Sequence, residues 1–432
     1  MASDYLVELP DGTVKQRNPF SGTQVWTVPG RGNRPLSRPH PDARALAPQD
    51  FTHACAFCAG RYLETPPEKS RLVASAGEWV LHEATPAHAL NDTVAEFRRV
   101  PNLFEILGYD YWHANHGYLL PAHVRRRREA YLASADGRAH VEAVAAAKAR
   151  AAGLDPASLT QEDLLGWASG FFGGGHDVII ARRHFVDGAA TDAELASSGT
   201  LTPDEHDSFV AFTAEAARSG YDLFPQARYV VVFQNWLKAA GASFDHLHKQ
   251  VVAIDEYGAQ QEATLRRASA EPNAFNDLLG VSVANSLILA ANEHCVAVAG
   301  FGHRYPTIEV YSTSPASAPW EHTPAELRGV SDVLHAVHAA IGPDVPCNEE
   351  WHYRPPGVST RMPWRIMVKL RISTLAGFEG ATRIYLNTIA PATLRARLAP
   401  RLRELREAGT IASDLAIADE VALGPDPLRY RG

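Results

Sequence analysis

The chain has 432 residues, 46% hydrophobic and 21% charged, a globular composition too long for one ordinary core, so two domains or a duplicated one are expected. Its net charge of −8 leaves no overall basic footprint for nucleic acid or an acidic membrane. The start, "MASDYLVELPDGTVKQRNPF", holds no apolar core of signal-peptide length, and no run approaches the ~18 apolar residues of a membrane span, so the cytoplasm is the expected location.

Residues 1–50 are rich in Pro, Gly and Arg, with one short strand pattern, "TQVWTV", and read as ordered loop. Cys55 and Cys58 then form a C-x-x-C pair. In a large protein that needs no disulfide framework such a pair reads as metal-binding, the alternative being two core cysteines. "EWVLHEA" reads as a strand, the Ala-rich stretch 129–153 as one or two surface helices, and "HDVIIARRHF" (176–185) as another strand. A helix follows, with Thr202 as N-cap, Pro203 at the first helical position, Glu205 closing a capping box and Gly220 as its stop. "ARYVVVFQN" is β-rich and leads into "GASFDHLHKQVVAID", residues 241–255.

The order then recurs. "YPTIEVYSTS" is a strand, a helix starts at Thr323-Pro324 with Glu326 closing its box and Gly342 ending it, and "WRIMVKLRI" and "ATRIYLNTI" are strands. Two strand–helix–strand units in matching order favour a duplicated α+β unit. The expected division is a catalytic and zinc-binding half at 1–255, a connecting segment at 256–283, and a second half at 284–432 without the catalytic histidines. Residues 364–369 stand near the place of the His-rich strand. Cys295 and Cys347 read as buried and inert.

The chemistry concentrates at 246–250. A strand has period two, so His246, His248 and Gln250 share one face. Imidazole serves as nucleophile, base or metal ligand, and a neutral carboxamide can hold a phosphoryl oxygen without adding charge. The bland alternative is a satisfied polar edge strand. Two thiolates and two histidines make a tetrahedral zinc site; Cys55 and Cys58 would supply the thiolates, and His184, His246 and His123 in "LLPAHV" are candidates for the histidines. "RRRRE" at 125–129 reads as a solvated helix face.

The stretch "VFQNWLKAAGASFDHLHKQ" resembles the active-site segment of the galactose-1-phosphate uridylyltransferase family, the transferase branch of the histidine-triad superfamily, where glutamine replaces a third histidine. The resemblance implies that His246 binds zinc, His248 is the nucleophile and Gln250 holds the phosphoryl group, with Asn235 near the nucleotide phosphates and Ser243 near the second substrate. "NPFSGTQVWTVPGRGNRP" is similar to the N-terminal segment whose arginines approach the nucleotide, which points to Arg31 and Arg34. "CAFCAG" resembles the zinc-binding pair, "RRVPNLF" a segment whose asparagine contacts nucleotide (Asn102), and "GGGHDVIIARRHF" a strand ending in a zinc-binding histidine (His184). "LAGFEGATRIYLNTIAP" is like the closing segment of phosphorylase-type members, where Glu379 and Asn387 would face a site across a subunit boundary or serve turn and sheet roles.

The implied fold is α+β, with duplicated histidine-triad-like halves in which helices pack on antiparallel sheets. The implied activity is nucleotidyl transfer from a nucleotide sugar to a phosphate-bearing acceptor through a nucleotidyl-histidine, in a homodimer with structural zinc. A nucleotide-sugar or dinucleotide phosphorylase and a zinc-braced, non-catalytic nucleotide-binding protein are the alternatives. A hydrolase is disfavoured by Gln250. Departures from the family pattern at Leu237, Lys249 and Pro363 lead to the expectation that galactose 1-phosphate is a poor acceptor, with Lys249 as a charge near a more anionic one even though the strand residue after His248 should point to the opposite face. Residues 105–172 have no counterpart and are assigned to the acceptor pocket.

Overall fold

The computed structural model describes residues 5–31, 35–36, 42–75 and 77–428. The N-terminal segment forms three short strands, β1 (Leu6–Glu8), β2 (Val14–Arg17) and β3 (Gln24–Thr27), where the sequence suggested loop with a single strand. Next come β4 (Ser70–Ser75), β5 (Glu78–Glu83), β6 (Phe97–Pro101) and β7 (His176–Ala181), then β8 (Tyr229–Trp236) and β9 (His248–Ile254). The later part supplies β10 (Ile288–Ala291), β11 (Cys295–Gly300), β12 (Thr307–Ser312), β13 (Cys347–His352), β14 (Arg365–Leu370), β15 (Ile384–Leu386) and β16 (Ala416–Ile417).

Twelve of these strands make one continuous sheet in the order β16-β10-β11-β12-β14-β13-β8-β9-β7-β6-β4-β5, and its pairings are antiparallel. Outward from the β8–β13 junction the order is β8, β9, β7, β6 on one side and β13, β14, β12, β11 on the other. The chain visits both sides alike: two strands, a long helix, two strands. The fold is therefore α+β, and its two halves mirror each other across the junction. β1, β2, β3 and β15 form a separate small sheet.

Both long helices start as their sequences dictate. Thr202 accepts from the Glu205 N–H at 3.2 Å while the Glu205 carboxylate accepts from the Thr202 N–H at 2.8 Å. Thr323 and Glu326 repeat this at 3.3 and 2.8 Å. The first helix runs on past Gly220 to Leu223, because Gly220 packs against Val230 and keeps a helical backbone rather than a left-handed one. The second stops at Gly342, whose φ of 86° no other residue type adopts readily. These helices, Pro203–Leu223 and Pro324–Ile341, cover one face of the sheet.

That covered face carries an unusual polar core at the junction. Lys249, on β9, is fully buried and ion-paired to Glu349 on β13. The His338 imidazole donates to Glu349 at 2.8 Å, and the Trp351 indole does so at 2.6 Å. Lys249 also donates to Gln234 on β8 at 3.2 Å and lies 4.9 Å from the centre of the Phe209 ring. A buried ammonium is tolerable only with such partners.

Residues 105–172 fold mainly as helices, including Tyr109–His116, Ala122–Ala133 and Ala135–Ala151. The last two are separated at Ser134, which caps the second. They bury a small core of their own around Val141, Val144, Phe171 and Phe172.

Candidate active site and metal centre

The face opposite the long helices carries the candidate residues His248 and Gln250. β9 begins at His248, so His246 lies just before the strand rather than within it. His246, His184, Cys55 and Cys58 are all buried, and their ligand atoms lie within 4.8 Å of one another. The sulfurs are 3.8 Å apart. Cys55 Sγ is 3.4 Å from His246 Nδ1, and Cys58 Sγ is 3.5 Å from His184 Nδ1 and 3.7 Å from His246 Nδ1. A tetrahedron with ordinary zinc–sulfur and zinc–nitrogen bonds has edges of ~3.8 Å between sulfurs and ~3.6 Å between sulfur and nitrogen. The four residues could hold a metal ion. His246 turns its other nitrogen to the Ala181 carbonyl at 2.7 Å, the outer contact that fixes a metal-binding tautomer. The hydrogen bond from Cys55 holds the Cys58 thiol below its usual range, against burial, with His184 and His246 assisting. His123 is exposed at the start of the Ala122–Ala133 helix, not at a strand end, and is no part of this cluster.

The His246 carbonyl accepts from His248 Nδ1 at 2.7 Å. A carbonyl can only accept, so the proton sits on Nδ1 and Nε2 keeps a bare lone pair. The orienting carbonyl is thus that of His246 itself. Burial pushes the His248 imidazole down to about 4, so it is neutral at neutral pH. Phe57, between the two cysteines, sets its ring edge-on to His248 at 5.3 Å. Next to it Val100, Val178 and Ile180 form a buried apolar floor that Phe57 also touches.

Gln250 follows on the same face. Its Oε1 is 2.8 Å from Nε2 of His176, the first residue of β7. Asn102, just after β6, places its Nδ2 3.1 Å from the same ring nitrogen and takes the Phe104 N–H on its oxygen at 2.9 Å. Across the junction, Asn235 on β8 meets Asn348 on β13 at 2.7 Å, and Arg371 donates to Asn348 at 2.7 Å. A groove of about 430 Å³ runs over these central strands, lined among others by Phe233, Asn235, Asn348, Glu350 and Arg371.

The remaining sequence candidates divide. Ser243 is exposed in the loop between Gly241 and His246. Arg31 is exposed in the turn after β3, where its backbone N–H bonds to the Val28 carbonyl at 3.2 Å. Arg34 lies outside the described residues. Lys249 points to the covered face and cannot touch an acceptor at His248, so its charge does not reach the site as the family departures suggested. Leu237, one of the departures from the family pattern, holds a left-handed φ of 66°. Glu379 caps its own helix, accepting from the Ala376 N–H at 3.0 Å, and Asn387 donates to the His303 carbonyl at 3.0 Å. Cys295 and Cys347 are buried free thiols.

The second half has no counterpart of this chemistry. Counting outward from the central pair Gln234–Glu349, the place of Gln250 falls on Lys369 and that of His248 on Met367. Arg365, in the place of His246, pairs with Glu309 at 3.2 Å, and His303 pairs with the same carboxylate at 2.7 Å. An ion cluster stands there instead of a metal site. His176, Asn348, Arg371 and Phe57 were not singled out from the sequence. Each is one polar or aromatic residue in an ordinary context, and only strand register shows what it faces.

The fold is that of galactose-1-phosphate uridylyltransferase-like proteins. An ADP-glucose phosphorylase from Arabidopsis thaliana, solved with bound ADP-glucose, superposes with a TM-score of 0.56 at 17% identity, over 91% of this chain and 98% of that one. A GalT-like protein from Arabidopsis thaliana gives 0.54 at 17% identity, over 90% and 98%. The chain belongs to the family described as a domain of unknown function, DUF4921, whose model matches residues 9–430. Comparison with curated proteins finds no match.

Proposed function

We propose that the protein is a nucleotidyl-transferring enzyme that works through a nucleotidyl-histidine on His248. The observation that carries this is the bare Nε2 of His248, produced by the hydrogen bond from its Nδ1 to the His246 carbonyl, on the same face as Gln250. The likeness in fold to a phosphorylase solved with ADP-glucose supports a nucleotide sugar as donor. His248 Nε2 attacks the α-phosphorus, a P–N bond forms, and the bond to the leaving sugar phosphate breaks with its electron pair. A phosphate oxygen of the acceptor then attacks phosphorus, and the P–N bond breaks. Both linkages are activated, so the protein's task is positioning and charge stabilisation.

Zinc is the proposed metal, held by Cys55, Cys58, His184 and His246. It supplies structure, fixing His246 and through its carbonyl the ring of His248. Gln250, Asn102 and Asn235 offer amide N–H groups to phosphoryl oxygens. Val100, Val178, Ile180 and Phe57 form an apolar floor suited to the nucleoside. The groove at Asn235 and Arg371 receives the leaving group and the acceptor. This reading retains a working half at 1–255, a connector at 256–283 and a second half at 284–432. It also retains a homodimer, and Arg31 and Arg34 as the arginines that approach the nucleotide.

The acceptor is either a sugar phosphate or inorganic phosphate. The likeness in fold to an ADP-glucose phosphorylase supports the second choice. Labelled UDP-, ADP- and GDP-glucose, each incubated with and without phosphate and with hexose 1-phosphates, decide between them. Phosphate-dependent release of a nucleoside diphosphate identifies a phosphorylase, and exchange of sugar phosphates a transferase. No turnover of any donor would contradict the proposal.

A further inference from the structure

Two hydrogen-bond relays reach the site, and each starts from a group whose role cannot be reversed. The Ile106 backbone N–H, which can only donate, points at His176 Nδ1 at 3.2 Å. The His176 proton is therefore on Nε2, which donates to Gln250 Oε1 at 2.8 Å. That contact fixes the polarity of the carboxamide, since Oε1 faces His176 and the NH2 group faces away from it. Asn102 Nδ2 cannot donate to a nitrogen that already bears the proton, so its N–H groups also remain for a ligand.

The second relay comes from the half that lacks the catalytic histidines. Arg371, which can only donate, meets Asn348 Oδ1 at 2.7 Å, and the Ala240 carbonyl, which can only accept, meets Asn348 Nδ2 at 2.8 Å. Asn348 is thereby fixed at both ends. Its remaining N–H goes to Asn235 Oδ1 at 2.7 Å. The Asn235 NH2 group is turned away from Asn348 and lies on the side of Gly241, where the loop to His246 and His248 begins.

We infer that His176 and Asn348 are positioning residues, each locking one carboxamide (Gln250 and Asn235) with its NH2 group toward the reacting phosphoryl group. This inference rests on the nucleotidyl-transfer reading above. Neither residue touches the reacting atoms. Their effect is that two amide donors are pre-oriented for the charge that develops on the phosphoryl oxygens and need not turn over during reaction. Loss of one such donor costs on the order of 10²–10³ in rate, and losing its orientation is expected to approach the lower figure.

The test is a pair of double-mutant cycles read by the rate of nucleotidyl adduct formation with ADP-glucose and UDP-glucose. His176→Phe keeps a ring and removes the donor, and Asn348→Asp keeps the shape and reverses the polarity facing Asn235. Each is expected to slow adduct formation about 10²-fold in the otherwise wild-type chain. His176→Phe should add little in a Gln250→Ala background, and Asn348→Asp little in an Asn235→Ala background. Metal content and thermal midpoint should stay near wild type. Should His176→Phe fail to fold, His176→Gln restores an N–H and is expected to recover most of the rate, while His176→Leu does not. Losses that multiply fully in both double variants would overturn the inference, because the residues would then act elsewhere. An absent adduct in the wild type with either donor would instead overturn the nucleotidyl-transfer reading.

Discussion

At the scale of single residues, the division of labour between His246 and His248 depends on one backbone carbonyl. The side chain of His246 turns to the two sulfurs while its carbonyl holds the Nδ1 proton of His248. Cys58→Ser is therefore expected to lose the metal and lower the thermal midpoint and activity together, whereas His123→Ala should keep all three. Elemental analysis and calorimetry on the two purified variants check this. Retention of full metal by Cys58→Ser would remove the centre from the account. Period-two reading placed His248 and Gln250 on one face of β9, although it also counted His246 within the strand, and C-x-x-C spacing made the pair of sulfurs legible. The donors that orient Gln250 and Asn235 were not legible, because His176 and Asn348 belong to β7 and β13 and the pairing of those strands is a long-range fact. Lys249 was legible as facing away, but its partner Glu349, a hundred residues on, was not.

At the scale of elements, β9 is tied on both faces. On one face the Cys55–Cys58–His184–His246 cluster holds the residues leading into it, and on the covered face Lys249 joins it to β13 through Glu349. Breaking a buried pair by removing one partner leaves an uncompensated charge and costs about 3–5 kcal/mol, whereas replacing both by apolar residues of similar volume is often near neutral. Glu349→Gln is thus expected to cost about 3–5 kcal/mol in denaturant unfolding, and Lys249→Met with Glu349→Leu to recover much of that loss. A Glu349→Gln protein as stable as wild type would show that the pair does not hold the junction. The capped helices were the most legible elements, since Thr-Pro-x-Glu specifies its own hydrogen bonds locally. The N-terminal strands β1 and β2 were missed because they are short and mostly exposed. The helix through Gly220 was stopped too soon because tertiary packing on Val230 overrides glycine's low propensity.

At the scale of the whole molecule, the mirrored order around β8 and β13 places the polar core of Lys249, Glu349, His338, His206 and His335 at the centre of one sheet. Burial pushes His335 down to about 4, and burial with the nearby charges of His335, Lys249 and His338 pushes His206 well below its usual value. A histidine whose pKa is lowered by folding contributes stability that is full above its unfolded value, ~6.5, and is lost as pH falls from there toward 4. Glu309, held at about 2 by His303 and Arg365 against burial, contributes stability that is lost only below its unfolded value of ~4.3. The thermal midpoint should accordingly begin to fall below about pH 6.5 and fall again below about pH 4.3. His335→Leu should flatten the upper leg, and a wild-type midpoint constant from pH 7 to 4.5 would contradict this. The duplication was legible as repeated order, but that the halves share a single sheet was not, because the β8–β13 pairing leaves no local mark. Among the described residues no helix is long and apolar enough to cross a membrane. The central claim, a covalent nucleotidyl-histidine on His248, is tested most directly by the intact mass of the protein after mixing with a nucleotide sugar and no acceptor. The account predicts a nucleoside-monophosphate adduct on wild type, acid-labile and stable in alkali, and none on His248→Gly. An adduct that persists in His248→Gly, or wild-type turnover of the donor with no adduct at any time, would contradict it.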